Sequence, residues 1–309
     1  MPILVSSLVV WAGLLTISRA LLLTTGIDPW AFTFIQMLSG GVTLLIFAWR
    51  PGMSWRAGGR PLTWLFGLSR VTSAACFTAA LVYVSLVEAS LLGLMSVTGA
   101  ALMAWRLRGA RPGRAEFVCH TILVGGVVSL ALLVEDGWRN PTVLLMAVSE
   151  LAVIASTFTA EYHPENQTED PRARLWLTGI ALSVTAAMML TARLGQTTLW
   201  ADGEVAEIWQ AVRDWRLWLI GGAVGVVLRG PATFLAFWAI HRHGADAYIL
   251  ATALLPVFGL AMEWALAQPG WVPPITLTLP VYAVGTAMIA ALVTLALARL
   301  RAGQLSPKT

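Results

Sequence analysis

The sequence predicts an all-α integral membrane protein with ten transmembrane helices arranged as a 5+5 inverted repeat. Three observations carry that expectation. Of 309 residues, 58% are hydrophobic and only 12% charged, outside the usual balance of a soluble domain. Apolar runs of the roughly 20 residues that a helix needs to cross a bilayer recur along the whole length. The chain also resembles itself at the spacing that separates Arg70 from Arg229. Continuous runs such as "TLPVYAVGTAMIAALVTLALA", Thr278 to Ala298, argue against an outer-membrane barrel, whose strands would alternate in short segments.

The first run, roughly residues 2 to 23, opens with "MPILVSSLVVWAGLLTIS". It lacks the basic leader of a secretory signal and stays apolar past any cleavage-length core, so it reads as a retained helix. Spans at roughly 29 to 49, 61 to 83, 87 to 105 and 115 to 134 complete a first five-helix unit, residues 1–138. A second unit, residues 139–309, holds spans at roughly 141 to 160, 174 to 192, 216 to 240, 245 to 266 and 277 to 298, then a basic tail. Cys76 and Cys119 fall inside spans, where they act as small apolar residues and imply neither a disulfide nor a metal site.

Charge orients the bundle. Arg50, Arg56 and Arg60, then Arg106, Arg108, Arg111 and Arg114, then Arg172, Arg174, Arg242, Arg299, Arg301 and Lys308 all fall in alternate links or at the tail, against Arg139, Arg193, Arg213 and Arg216 in the others. The positive-inside rule then places both termini in the cytoplasm of a multi-pass protein of the bacterial inner membrane. The net charge of +4 is thus an orientation signal, and no nucleic-acid partner is implied. Tryptophans, among them Trp30, Trp49, Trp64, Trp105, Trp176 and Trp218, sit near span ends or in links as interfacial anchors; Trp11 lies deep in the first span. In "ADGEVAEIWQAVRDW", Val205, Ile208, Trp209 and Val212 share one helical face, which suits a short helix lying flat as a cap over the bundle. The link "EYHPENQTEDPRAR" reads as a cytoplasmic loop, and its "NQT" triplet as a chance glycosylation match.

"SRVTSAACFTAALVYVSLVEASLLGLMSVTG" from Ser69 aligns with "LRGPATFLAFWAIHRHGADAYILATALLPVFG" from Leu228, bringing Arg70 onto Arg229, Ala80 onto Ala239 and, after a one-residue gap, Glu88-Ala89 onto Asp246-Ala247. Five helices per unit is an odd number, so duplicated units enter the membrane in opposite senses. Within these stretches, "FTAALVYVSLVEAS" and "FLAFWAIHRHGADAYILATALLPVFG" resemble the paired signature of the EamA-type members of the drug/metabolite transporter superfamily. "GGVV" at Gly125 and "VGTAMI" at Val284 resemble the glycine-containing fifth helix of each half. Two positions depart from the pattern: Thr98 stands where Pro256 has its counterpart, and Gln36 occupies a place often held by arginine. The resemblance implies a ten-helix carrier working by alternating access, with small amino acids or related amphiphilic metabolites as cargo, moved outward.

Four unusual residues share one depth. By helical rise, Arg70 lies roughly 13 Å and Arg229 roughly 16 Å from the cytoplasmic ends of their spans, and Glu150 and Trp11 reach a matching level. A charge at mid-bilayer costs on the order of 3 kcal/mol on insertion scales and so faces a cavity or a partner. Two outcomes are open: a buried ion-pair network that fixes helix registry, or a substrate-binding cavity formed by Arg70, Arg229, Glu150 and Trp11, whose surplus cation invites an anionic ligand group. Glu150 is also the proton-coupling candidate. "RGP" at Arg229-Gly230-Pro231 is expected to break its helix beside that cavity, because proline donates no amide and crowds the preceding turn. His241 and His243 are expected in a solvated turn, and Glu88, Asp246 and Glu263 at span ends in reach of water.

No nucleotide loop, catalytic constellation or metal-ligand spacing is evident, so no enzyme activity, cofactor or metal is implied. The partners implied are a small-molecule substrate and the lipid bilayer; monomer and oligomer both stay open. Alternative functions are a proton-coupled drug or cation exporter and a non-transporting membrane scaffold or sensor, the last distinguished by a midplane filled with side chains.

Overall fold

Each helix begins where proline or a small polar cap meets an apolar run, because the first amides of a helix have no acceptor within it. α1 (Pro2–Thr25), α2 (Pro29–Ala48) and α3 (Pro61–Ala80) all open on proline, and the Asp28 carboxylate accepts from the Ala31 amide at 2.7 Å. α4 (Leu86–Leu92) starts from a Ser85–Glu88 capping box and passes through Gly93 and Leu94 into α5 (Met95–Arg108). α6 (Arg114–Leu133), α7 (Pro141–Tyr162) and α8 (Pro171–Trp200) follow. α9 (Trp215–Val224) widens into a π-helical turn, Gly225–Arg229, which runs on into α10 (Gly230–His243). α11 (Ala245–Thr252), α12 (Leu255–Ala267) and α13 (Leu279–Arg301) complete the chain. The computed structural model describes residues 2–49, 55–109, 111–134, 136–200 and 213–301, and all regular structure among them is helical.

Among the described residues, taking α4 with α5, α9 with α10 and α11 with α12 gives ten crossings, so α1 begins and α13 ends on one face, the N-terminal face. Among the described residues, nine crossings are long and apolar enough to span a membrane. The tenth, α3, is as long as α2 but carries Thr63, Ser69, Arg70, Thr72, Ser73 and Thr78. Its outer stripe, Leu62, Leu65 and Leu68, is exposed, while Phe66, Ser69, Arg70 and Ser73 face inward. That is the period of a helix with lipid on one side and polar contents on the other.

The expected spans at 87 to 105 and 245 to 266 are each two helices. The first breaks at Gly93 and Leu94, the second at Ala253 and Leu254, where backbone bonds shift to three-residue spacing, as in Ser96 N to Gly93 O and Val257 N to Leu254 O. Pro256 enforces the second break; the first, with Thr98 in the corresponding place, rests on the Gly93–Leu94 turn. The proposed surface helix around Val205, Ile208, Trp209 and Val212 lies outside the described residues.

Packing pairs α2 with α8, α3 with α7, α1 with α10, α6 with α13, α4 with α12 and α5 with α11. The α2–α8 contact is close because it is built on glycine: a Cβ on Gly41 would sit 2.8 Å from Ser183 N and 3.0 Å from Gly179 O. Gly40 meets the π-helical turn in the same way, its Cβ position 2.9 Å from Gly225 O. Small residues are how apolar helices gain dispersion contact when lipid offers no hydrophobic driving force.

Several expectations are corrected. Trp49, Trp138, Trp215, Trp264 and Trp271 are exposed near helix ends, but Trp176 is buried against Ala48 and Ile180 rather than anchoring outward. His243 is buried, and His241 is mostly covered, 3.7 Å from Glu169; the short Gly244 turn folds both against the bundle. Glu263 has no exposure at all, because Arg19 reaches it within the bundle at 2.8 Å. Asn166 of the "NQT" triplet is buried and donates Nδ2 to Ala160 O at 2.9 Å, so its amide serves the loop itself.

At the N-terminal face, His163 seals the link between α7 and α8. Its Nδ1 accepts from the Glu165 amide at 3.2 Å, which leaves Nε2–H to donate to Thr63 Oγ1 at 3.0 Å. Burial, and then the charge of Arg60, push its pKa from 6.5 down to about 4. Because the folded value lies below the unfolded one, the neutral ring's stabilisation is complete above pH 6.5 and fades as pH falls toward about 4. Thermal stability in detergent should therefore decline as pH falls over that interval, and His163→Gln should flatten this part of the profile.

Gly41→Ala should lower stability by about 1–3 kcal/mol through separation of α2 from α8. Gly13→Ala, whose Cβ would meet only Met262 Sδ at 4.0 Å, should be neutral or stabilising by up to about 1 kcal/mol. Melting temperatures of the two purified variants check the contrast.

Candidate functional site

A cavity of about 100 Å³ opens inside the bundle where α1, α3, α7 and the π-helical turn meet the two broken crossings. Trp11, Arg70, Glu150 and Arg229 all line it, together with Ser73, Phe77, Ser90, Gly93, Ser96 and Tyr248. The midplane is thus not filled with side chains, and the residues singled out for their depth come together around one void.

The π-helical turn aims Arg229. An extra residue per turn rotates the helix, so Val226 and Val227 stay exposed while Arg229 turns fully inward. The expected break at Gly230 and Pro231 takes this widened form. Pro231 cannot donate, but Gly230 N reaches back to Gly225 O and Thr233 Oγ1 donates to Arg229 O at 2.9 Å. Those two carbonyls are satisfied within the helix rather than offered to a ligand.

Arg229 is the largest side chain with no exposure. Its Nη2 and Nε donate to Gln36 Oε1 at 2.9 and 3.3 Å, and Gln36 Nε2 donates to Ser18 Oγ at 3.3 Å. Its Nη1 has no partner, and neither has the buried Trp11 Nε1. Both arginines stand over the same indole, Arg70 at 4.6 Å and Arg229 at 5.4 Å from the Trp11 ring centre. Among the described residues no ion pair joins Arg70 or Arg229 to Glu150 or to any other carboxylate. The buried ion-pair network entertained from the sequence does not form.

Glu150 stands instead at the first helix break. A Cβ on Gly93 would come within 3.2 Å of its Oε1, and Ser96 lies against its carboxyl. α7 is held to α3 beside it by Ser149 Oγ donating to Ser73 O at 3.0 Å.

Sequence reasoning missed three contributors. Gln36 was noted only as a departure from a family pattern; a lone amide within "FIQMLSGG" was the signal. Arg19, in the apolar first helix, was passed over although it is buried and paired with Glu263, and its Nε donates to Val84 O at 3.2 Å. The second clasp lies at the N-terminal face. There Arg108 reaches Glu161 at 2.5 Å and Asp246 at 3.0 Å, and Arg299 reaches Glu116 at 2.9 Å and Asp246 at 3.8 Å. Basic and acidic residues at these span ends were visible, but not which of them would meet.

Apolar helices long enough to cross a bilayer, wrapped around an internal cavity that holds charged side chains, define a multi-pass membrane protein. Residues 2–134 match the EamA-like transporter family. Over that stretch, less than half of the chain, the sequence is similar to membrane transporters of the drug/metabolite transporter type, as the resemblance of its helix signatures implied. No curated protein matched the sequence. The crystal structure of a protein 18% identical, with 96% of each chain covered, aligns with a TM-score of 0.60, so the fold is shared.

Removing one partner of a buried pair strands the other charge. Glu263→Ala should cost about 3–5 kcal/mol, whereas the double variant Arg19→Met/Glu263→Leu should regain most of that loss. Denaturation of the three proteins in one detergent checks the difference.

Proposed function

We propose that the protein carries small amino acids or related amphiphilic metabolites out of the cell by alternating access around the central cavity, with Trp11, Arg70, Glu150 and Arg229 contacting the cargo. The observation that carries this reading is the unfilled cavity bearing two guanidinium groups without carboxylate partners. A scaffold would gain nothing from holding such charges in hydrocarbon.

Alternating access needs two bodies and two closures. We divide the chain into five-helix units, residues 1–138 and 139–309, related by an axis in the membrane plane. The pairings of α2 with α8 and α6 with α13, and of α3 with α7 matched by α10 with α1, support that division. The clasp Arg19–Glu263 and the cluster of Arg108, Glu161, Asp246, Glu116 and Arg299 join one unit to the other at opposite ends of the bundle. In this reading they close the two sides in turn. The basic N-terminal face is cytoplasmic and the membrane is the bacterial inner membrane.

Glu150 is the coupling group of this scheme. Arg70 and Arg229 from neighbouring helices share its cavity, while Ser96 lies against it. A ligand exchanging between the two sides changes the charge it faces.

The test is counterflow of radiolabelled amino acids and metabolites in proteoliposomes, with and without a pH gradient. Arg70→Ala and Arg229→Ala should each reduce flux at least about tenfold, equivalent to about 1.4 kcal/mol, with insertion unchanged. Glu150→Gln should keep exchange but lose the response to the gradient. Full flux in both arginine variants would remove the site assignment.

A further inference from the structure

Donors without acceptors converge at one wall of the cavity. Arg229 Nη1 is buried and unpaired, Trp11 Nε1 is buried and unpaired, and Arg70 engages Trp11 only through the face of the indole. The sole acceptor for Arg229, Gln36 Oε1, is neutral. Gln36 fixes the guanidinium without cancelling its charge, and its own amide is held by Ser18. Two other buried arginines of the bundle meet carboxylates, Arg19 at Glu263 and Arg299 at Glu116, and Arg174 donates to Thr168 O. At the cavity the one carboxylate, Glu150, stands against Gly93 and Ser96 instead.

We infer that Arg229 Nη1, Trp11 Nε1 and the Arg70 guanidinium are the seat of a carboxylate brought by the ligand, that Glu150 receives its cationic end, and that Gln36 is the residue that positions Arg229. This deepens the transport reading and rests on it only for the route by which the ligand arrives. A carboxylate has two acceptor oxygens and four lone-pair directions, which match two separate guanidinium groups and an indole N–H. A monoamine offers these donors nothing. Leu15, Phe77, Leu94 and Val153 on the remaining wall suit an aliphatic side chain.

The test uses the full chain purified in detergent in carboxylate-free buffer, with four probes of one shape: L-leucine, N-acetyl-L-leucine, L-leucinamide and isopentylamine. Thermal stabilisation is expected with leucine, more weakly with N-acetylleucine, which lacks the cation, and not with leucinamide or isopentylamine, which lack the anion. Gln36→Glu places an internal carboxylate on Arg229. It should raise the melting temperature of the unliganded protein and weaken leucine binding at least about tenfold, an outcome that a merely structural Gln36 would not produce. Gln36→Leu, which leaves Arg229 unanchored, should weaken binding without that gain in stability. Equal stabilisation by leucinamide and leucine, no shift with any probe, or unchanged leucine binding in Gln36→Glu overturns the seat. Counterflow in proteoliposomes separates the two readings. Probe selectivity without flux leaves the seat standing and removes transport, while flux of isopentylamine with no preference for leucine does the reverse.

Discussion

A guanidinium held in hydrocarbon must find an anion, a cavity or water, and the arrangement of this bundle follows from how each arginine meets that demand. Arg19 and Arg299 find carboxylates, and these contacts tie α1 to α12 and α6 to α13. Arg108 does the same at the end of α5, reaching α7 and α11. Arg70 and Arg229 find no carboxylate and stand at a cavity instead. The distribution divides the protein into sealed ends and an unsealed middle.

The middle exists because helices that would otherwise pack through are interrupted there. Gly93 and Leu94 break one crossing, Ala253 and Leu254 another, and the π-helical turn widens a third. Each interruption lies at the cavity wall, where irregular backbone can be tolerated because it is buried in protein rather than facing lipid. Elsewhere the glycines do the opposite. Gly40 and Gly41 let α2 approach α8 and the π-helical turn closely, so the bundle is tightly packed beside the void that its broken helices enclose.

Much of this was legible in the chain. Helix number and approximate limits follow from apolar runs that no other architecture accommodates, and the common depth of Trp11, Arg70, Glu150 and Arg229 follows from a fixed rise per residue. Pro231 announced a disturbance near Arg229, though as an open break; the helix instead runs on through a widened turn in which Gly230 N donates to Gly225 O. The Gly93 break was not legible, because a glycine inside an apolar run reads equally as a packing contact. Charges near span ends misled in one case. Glu263 was expected to reach water, yet sequence position cannot say that Arg19, more than 200 residues away in the chain, lies beside it.

What the sequence by itself determined is the class: a chain too apolar for water, cut into bilayer-length segments, with cations at mid-depth that cannot face lipid. Periodicity and rise are local properties, so they survive being read in one dimension. The tertiary structure alone decided which buried charges are neutralised and which meet no carboxylate. That Gln36 rather than Glu150 meets Arg229 depends on how α2 seats against the π-helical turn, through a glycine contact between residues far apart along the chain. Pairing across the bundle is a matter of distances between helices, and no one-dimensional pattern encodes those.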